Sequence, residues 1–381
     1  MPAHEFICSV LRGDGEKYPT PSDAAFEGEL LSLAEVHGVL ALLHQKASAE
    51  NTLASWSPKA RERLVLARNI QAARELLVKR ELASLLRRFA DAEVDVLLIK
   101  GAPLAYLLYA EPYLRTRGDA DLLIASAQRQ LAHETLLAAG YGMSQRYERK
   151  LASYQCSYSR RDRAGLLHVV DLHWRLSNRQ GLARLLGFEE LRDSAEPVPE
   201  LSANARTPDT VHALMIACLH RAAHITGGYF VNGIRYSEAN RLIWLYDIHL
   251  LVLRMSDLQW STFVELAETK KARAICLDAL RIAETCLRTP NPAWVMDRLA
   301  APGPRELSAG HLKPQIWRRY LSDLRSLPNW RQRFVLLNEW AFPPAEHLMK
   351  KYGVRHRCLL PALYLRRSAG GLRRIIGRKK R

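Results

Sequence analysis

The segment from Val94 to Ile124, VDVLLIKGAPLAYLLYAEPYLRTRGDADLLI, constrains this chain more than any other. An apolar run ends in Lys100-Gly101. About twenty residues later a second apolar run opens with Asp119-x-Asp121. The first run, six mostly β-branched or leucine residues at 94–99, predicts a buried strand, and Ala120–Ile124 predicts a second. Alternate strand residues face the same side and rise about 3.3 Å each, so Asp119 and Asp121 should project together, roughly 6.6 Å apart at the backbone. Paired carboxylates on one face suit one or two Mg²⁺ or Mn²⁺ ions of the kind used in phosphoryl and nucleotidyl transfer.

The flanking sequence reads differently. Residues 22–48 carry Phe26, Leu30, Leu33, Val36 and Leu40 at helical spacing, with Gly38 near the end, and 58–90 form a longer helical pattern opened by Ser57-Pro58. After the second strand, Ser126 is placed to cap a helix running to Ala139 and stopping at Gly140. Strands are expected at 154–160 and 166–173, joined through Arg161–Gly165 as a hairpin. From 207 onward helices are expected at 207–224, 237–254, 260–270 and 272–287. A proline-rich break at 290–304 and a last helical region follow, its Trp317, Trp330 and Trp340 expected in core. The fold class is therefore α+β. A small mixed sheet (residues 91–200) lies between an N-terminal helical layer (1–90) and a C-terminal helical domain (201–362), with a basic tail at 363–381.

Taken together, Lys100-Gly101-Ala102, Tyr109, Arg115-x-x-Gly-Asp119-x-Asp121-Leu-Leu and Val170-Asp171-Leu-His173-Trp174-Arg175-Leu resemble the uncharacterised bacterial nucleotidyltransferase family of the DNA polymerase β-like superfamily, over about residues 90–250. The resemblance implies a minimal nucleotidyltransferase fold: a glycine turn before the first helix (Gly101), the Asp-x-Asp pair on the second strand, and a third carboxylate, Asp171, on a later one. The superfamily's usual turn is Gly-Gly or Gly-Ser, whereas here it is Lys-Gly. It also implies a substrate-facing wall from a histidine helix and a Trp-Leu-Tyr-Asp helix, here His220, His224 and Asp247.

The residues agree with that chemistry. Gly101 at a helix start lets backbone N–H groups approach a triphosphate, and Lys100 adds a point charge. Asp119, Asp121 and Asp171 form a metal-binding and catalytic set, with Asp171 also suited to act as base on an acceptor hydroxyl. Arg115 and Arg117 flank the site and are expected to neutralise the α- or γ-phosphate. His173 shares a face with Asp171 and is expected either to meet nucleotide or substrate or to be a hydrogen-bonded structural histidine, while Trp174 should point into the core. His220 and His224, four apart, lie on one helical face; a buried His–Asp bond to Asp247 is the structural alternative. Without the glutamate of HExxH they do not predict a zinc hydrolase.

The expected activity is Mg²⁺-dependent transfer of a nucleoside monophosphate from an NTP to a hydroxyl or phosphate, with a small molecule or modified peptide favoured as acceptor. A toxin-type transferase acting on RNA or protein is one alternative. A degenerate nucleotide-binding regulator, in which Asp171 would not converge with Asp119 and Asp121, is another. No segment resembles an export signal or a membrane span, and the six scattered cysteines are expected as buried thiols of a reducing cytoplasm. The net charge of +17 is partly carried by the tail, where Arg366 to Arg381 hold eight basic residues and no acid. That tail suits nucleic-acid phosphate or anionic lipid, and a solvated, disordered end is the simplest expectation.

Overall fold

A computed structural model describes residues 1–19, 24–143, 150–225, 227–231, 233–236, 240–313, 315–354 and 356–376. The first layer is helical: α1 (Ala3–Arg12), α2 (Ala24–His37), α3 (Leu40–Ala49) and the long α4 (Pro58–Asp91). The helical pattern expected over 22–48 divides at Gly38, whose φ of +73° turns the chain, and where a Cβ would press on the Arg241 guanidinium at 3.1 Å. α1 has no counterpart in the expectations above, although Phe6, Ile7, Val10 and Leu11 form its buried stripe. Ser57 caps α4 by accepting from the Ala60 N–H at 3.0 Å, with Pro58 in the first turn.

The centre follows as β1 (Val96–Ile99), α5 (Gly101–Leu108), β2 (Ala120–Ile124), α6 (Arg129–Ala138), β3 (Gly142–Met143), β4 (Gln155–Arg161) and β5 (Leu167–His173). Ser126 opens a 3-10 turn before α6 rather than capping it. The five strands make one mixed sheet in the order β1-β2-β5-β4-β3. β2 and β5 run parallel, with Asp121 opposite Asp171, while β4 and β5 form the expected hairpin. Short elements come next: α7 (Gln180–Ala183), α8 (Phe188–Asp193), and the hairpin of β6 (Ala195–Pro197) with β7 (Arg206–Pro208).

The helical body comprises α9 (Thr210–His224), α10 (Leu242–Arg254), α11 (Asp257–Thr269), α12 (Arg273–Leu287) and α13 (Ala293–Ala300), with a small hairpin of β8 (Tyr229–Val231) and β9 (Ile234–Tyr236) between α9 and α10. α9 starts later than the expected 207 because β7 claims residues 206–208 and Asp209 caps the helix. α10 starts at Leu242; residues 237–239 lie outside the described residues. Last come α14 (Ile316–Arg325), α15 (Trp330–Ala341), α16 (Ala345–Tyr352) and α17 (Leu360–Ile376).

Several expectations are corrected here. The tail is helical as far as Ile376, running through Gly370-Gly371 rather than ending as a disordered segment; residues 377–381 lie outside the described residues. Trp317 and Trp330 are exposed and Trp340 is half-buried, so none is a core residue. Their helices belong to a surface whose core contribution comes from Leu327, Leu336 and Leu363. Trp174 is also only half-buried, with the Arg129 guanidinium 3.9 Å from its ring centroid. Cys358 is exposed, whereas Cys8, Cys218 and Cys276 are buried. No helix among the described residues is long and apolar enough to cross a membrane.

Two cores hold this assembly, and the sheet separates them. Leu97, Ile99 and Leu123 belong to the larger one with the helical body; Val96, Leu98, Leu122, Ile124, Val170 and Leu172 belong to the smaller one. That alternation is the two-residue period of a strand. α4, about 50 Å long at 1.5 Å per residue, serves both. Ala60, Leu64 and Ala67 enter the larger core, and Leu82, Leu85, Leu86 and Phe89 enter the smaller. The stretch between them buries no apolar side chain in either core; there α4 presents Ile70, Gln71 and Arg74 to a cleft.

Candidate functional site

The sheet face that carries Leu97, Ile99 and Leu123 also carries Asp119, Asp121, Asp171 and His173. The cleft above it has a volume of about 1060 Å³. Its floor comes from the start of β2 and the end of β5. One wall is the middle of α4, the opposite wall is α9 and α10, and Asp323 and Trp340 reach it from the C-terminal helices.

Asp121, Asp171 and His173 each offer a ligand atom within 4.8 Å of the others, a donor set of two carboxylates and one imidazole. Asp121 lies opposite Asp171, and Leu123 opposite His173, so the convergence follows from strand register. His173 Nε2 lies 2.8 Å from Asp121 Oδ1, and the same oxygen accepts from Lys100 Nζ at 2.5 Å. His173 Nδ1 is buried and lacks a partner. Asp171 accepts from Ser157 Oγ at 2.5 Å and from Gln155 Nε2 at 2.9 Å, both on β4. Asp119 stands one step outward, exposed at the cleft floor. Hard oxygen donors backed by one imidazole fit Mg²⁺ or Mn²⁺.

The carboxylates are electrostatically distinct. Asp119 is open to solvent at the surface yet walled in by the cleft, and that crowding, with the charges of Asp121 and Asp171, pushes it up to about 6. Burial opposes ionisation of Asp121 too, but Lys100 and His173 outweigh it and hold that carboxyl far below the usual range. Burial and Asp121 raise Asp171, against the hydrogen bonds from Ser157 and Gln155. Burial and the Lys100 charge lower His173, leaving a neutral imidazole with a lone pair to give. Lys100 is raised: its own burial disfavours the ammonium, and Asp121 more than restores it.

Lys100 takes an unusual backbone conformation, φ 60° and ψ −133°, as it delivers the chain from β1 into α5. A non-glycine residue there costs on the order of 1–3 kcal/mol. The next position must be small for a different reason. A Cβ on Gly101 would sit 3.0 Å from the guanidinium of Arg115. That guanidinium is buried and bonds both oxygens of Asp247, with Nη2 to Oδ2 at 2.6 Å and Nε to Oδ1 at 2.9 Å. Tyr109 donates to the same carboxylate at 2.7 Å, and Arg115 Nη1 donates to the Thr116 carbonyl. Arg115 and Asp247 thus tie the Lys100-Gly101 turn to α10, and Asp247 pairs with Arg115 rather than with His220.

Arg117 is only 8% exposed. Its Nη2 donates to Glu75 Oε1 at 2.7 Å, while Nε and Nη1 are buried without a partner. Glu75 also accepts from Tyr106. Beside this pair lies Arg74, whose Nε is likewise buried and unpartnered. Burial and the Arg117 charge lower the Arg74 guanidinium. Two crowded arginines beside Asp119, with N–H groups that no hydrogen bond uses, place positive charge in this corner of the cleft. His220 and His224 face the cleft from α9, their rings 4.7 Å apart and packed edge-on and tilted against Trp244 at 4.6 and 4.9 Å. Burial and each other's proximity keep His220 neutral, and His224 Nδ1 is engaged with the Gly228 carbonyl at 2.9 Å.

The sequence reading did not single out Arg74, Gln155, Ser157 or Trp244. For Arg74 the sequence held no signal, because Ile70, Leu76, Leu77 and Val78 carry apolar residues through this stretch, and only the structure leaves Ile70, Leu76 and Leu77 exposed. For Gln155 and Ser157 it was their two-residue alternation with Cys156 and Tyr158.

The model of the uncharacterised nucleotidyltransferase family matches residues 24–288. The chain belongs to that family. The match covers more than half of the chain and takes in α4 and the α9–α12 body as well as the sheet, a wider span than the motifs alone suggested. A search of curated proteins returns no match. The protein is accordingly a nucleotidyltransferase, an enzyme that transfers a phosphorus-containing group, and its family implies a nucleotide substrate.

Proposed function

We propose that this enzyme moves a nucleoside monophosphate from an NTP to an acceptor hydroxyl or phosphate at the face bearing Asp119, Asp121 and Asp171, as a member of the DNA polymerase β-like superfamily. The observation that carries the reading is the register of β2 against β5, which sets Asp121 beside Asp171 with His173 completing the cluster. Asp121 and Asp171, with Asp119 at the rim, would hold Mg²⁺ or Mn²⁺. When bound, the metal polarises the reacting phosphate and lowers the pKa of the acceptor hydroxyl.

The chain's own residues divide the remaining work. Gly101 opens α5, whose first-turn N–H groups suit phosphate oxygens. Arg117 and Arg74 offer their unpartnered N–H groups to the outer phosphates and so to the departing pyrophosphate. Lys100 keeps Asp121 ionised and in place. Asp171, with its raised pKa, is suited to take the acceptor's proton. Arg115 acts at one remove, by fixing the turn through Asp247. His220, His224 and Trp244 offer an aromatic wall suited to the base or to a flat acceptor.

The test is label transfer. NTP labelled at the α- or the γ-phosphate is incubated with enzyme, Mg²⁺ or Mn²⁺, and fractionated small molecules, peptides, protein and RNA. Transfer of the α-label, lost in Asp121→Asn, supports the reading. Transfer of the γ-label makes the protein a phosphotransferase instead.

A further inference from the structure

Almost all of the net charge sits at one end of the chain. Residues 313–381 contain 18 Lys or Arg and three Asp or Glu, a balance of +15 out of +17. Residues 1–312 hold 38 basic and 36 acidic residues and are nearly neutral. The basic region lies wholly beyond the part matched by the family, which ends at residue 288.

The same region exposes large apolar side chains in an ordered way. On α15, Trp330, Phe334 and Leu337 follow one another at helical spacing, and Trp330 and Phe334 are 71% and 65% exposed. The helix rests on Leu336, which is buried, and α14 packs beside it. Just beyond its end Phe342 is exposed, as are Trp317 on α14 and Leu365 on α17. Cations lie against the aromatics: the guanidinium carbons of Arg331 and Arg318 are 5.8 and 5.2 Å from the ring centroids of Trp330 and Trp317.

We infer that this surface, centred on the outer face of α15, binds an anionic lipid bilayer from one side. Exposed Trp, Phe and Leu flanked by Arg and Lys are what a helix lying in a headgroup layer presents: rings and aliphatic chains enter the acyl boundary while cations meet lipid phosphates. Nucleic acid would engage the arginines and stack on the rings, but it gives no burial to Leu337 or Leu365. α15 also reaches the cleft, where its half-buried Trp340 lies on the wall and packs on Tyr320 at 4.7 Å. A protein held at the bilayer through α15 therefore carries its cleft close to the lipid surface.

Full-length protein is sedimented with vesicles of phosphatidylcholine alone and of equimolar phosphatidylcholine and phosphatidylglycerol. Binding at least about ten-fold tighter to the anionic vesicles, weakened by salt, is expected. The double variant Trp330→Glu, Phe334→Glu should lose that binding by a similar factor while its circular dichroism and thermal midpoint stay as in the wild type. Equal binding to both vesicles, no binding, or full binding by the folded double variant overturns the inference. So does tighter binding to a single-stranded RNA oligonucleotide than to anionic vesicles, which would mark a nucleic-acid surface. Each readout is independent of nucleotide transfer, so failure here leaves the catalytic reading standing.

Discussion

Lys100 shows two opposing requirements meeting in one residue. Its backbone geometry favours glycine, yet its ammonium is the cation that balances Asp121. Lys100→Gly relieves strain of order 1–3 kcal/mol. It also leaves the buried Asp121 carboxylate beside Asp171 with His173 alone and no counter-charge, a loss of about 3–5 kcal/mol in comparable pairs. The variant should therefore be net destabilised without divalent cation, and Mg²⁺ should raise its melting temperature more than it raises that of the wild type. Equal Mg²⁺ shifts in thermal denaturation would count against Lys100 as the resident counter-charge. Asp119 behaves in the opposite sense. Its folded pKa of about 6 lies above the ordinary value of 3.8, so the folded state holds the proton more tightly. Stability is lost as pH rises from about 4 through 6 and the carboxylate ionises. In EDTA, Asp119→Asn should melt higher than wild type at pH 7.5, and the advantage should vanish near pH 4; an unchanged or lower midpoint at pH 7.5 contradicts it.

At the scale of elements, the four main strands of the sheet, β1, β2, β4 and β5, were legible in the sequence, whereas the two- and three-residue strands β3 and β6–β9 and the joints were not. β2 emerges at the expected residues because Asp-Leu-Leu-Ile follows a polar turn, and the Asp-x-Asp spacing already implied one face. The parallel pairing of β2 with β5, which brings in Asp171, is a long-range fact that no local pattern contains. The same holds for Arg115. Its place beside the aspartates suggested a phosphate ligand, but its partner, Asp247, lies 132 residues away on α10. Asp247→Ala should therefore destabilise the fold by about 3–5 kcal/mol, as expected when a buried pair loses one charge. Chemical denaturation measures this, and a loss below 1 kcal/mol would show that the pair does little to hold the turn. The exposed tryptophans of the C-terminal helices were misplaced because a helical period marks which residues share a face, not whether that face has a partner.

For the whole molecule, the cleft is a product of two cores. α4 joins both and leaves its middle, with Gln71 and Arg74, over the sheet. Nucleotide spanning Arg74, Arg117 and the aspartates would thus contact elements of both cores, and NTP with Mg²⁺ should raise the single unfolding transition by about 2.7 kcal/mol at a hundred times Kd. Arg74→Ala and Arg117→Ala should each weaken NTP binding by roughly ten-fold or more, in keeping with loss of a charge-assisted hydrogen bond. NMP binding should suffer less, because the arginines are assigned to the outer phosphates. Equal losses for NTP and NMP, read by calorimetry, would relocate the anion site.

The central claim is that Asp121 and Asp171 form a metal-dependent nucleotide site, and titration calorimetry tests it most directly. Each NTP is titrated into wild type and into the double variant Asp121→Asn, Asp171→Asn, with Mg²⁺ and with EDTA. At least one NTP should bind wild type in Mg²⁺ and lose most of that affinity in EDTA or in the variant. Equal binding by the two proteins in Mg²⁺ would contradict the account.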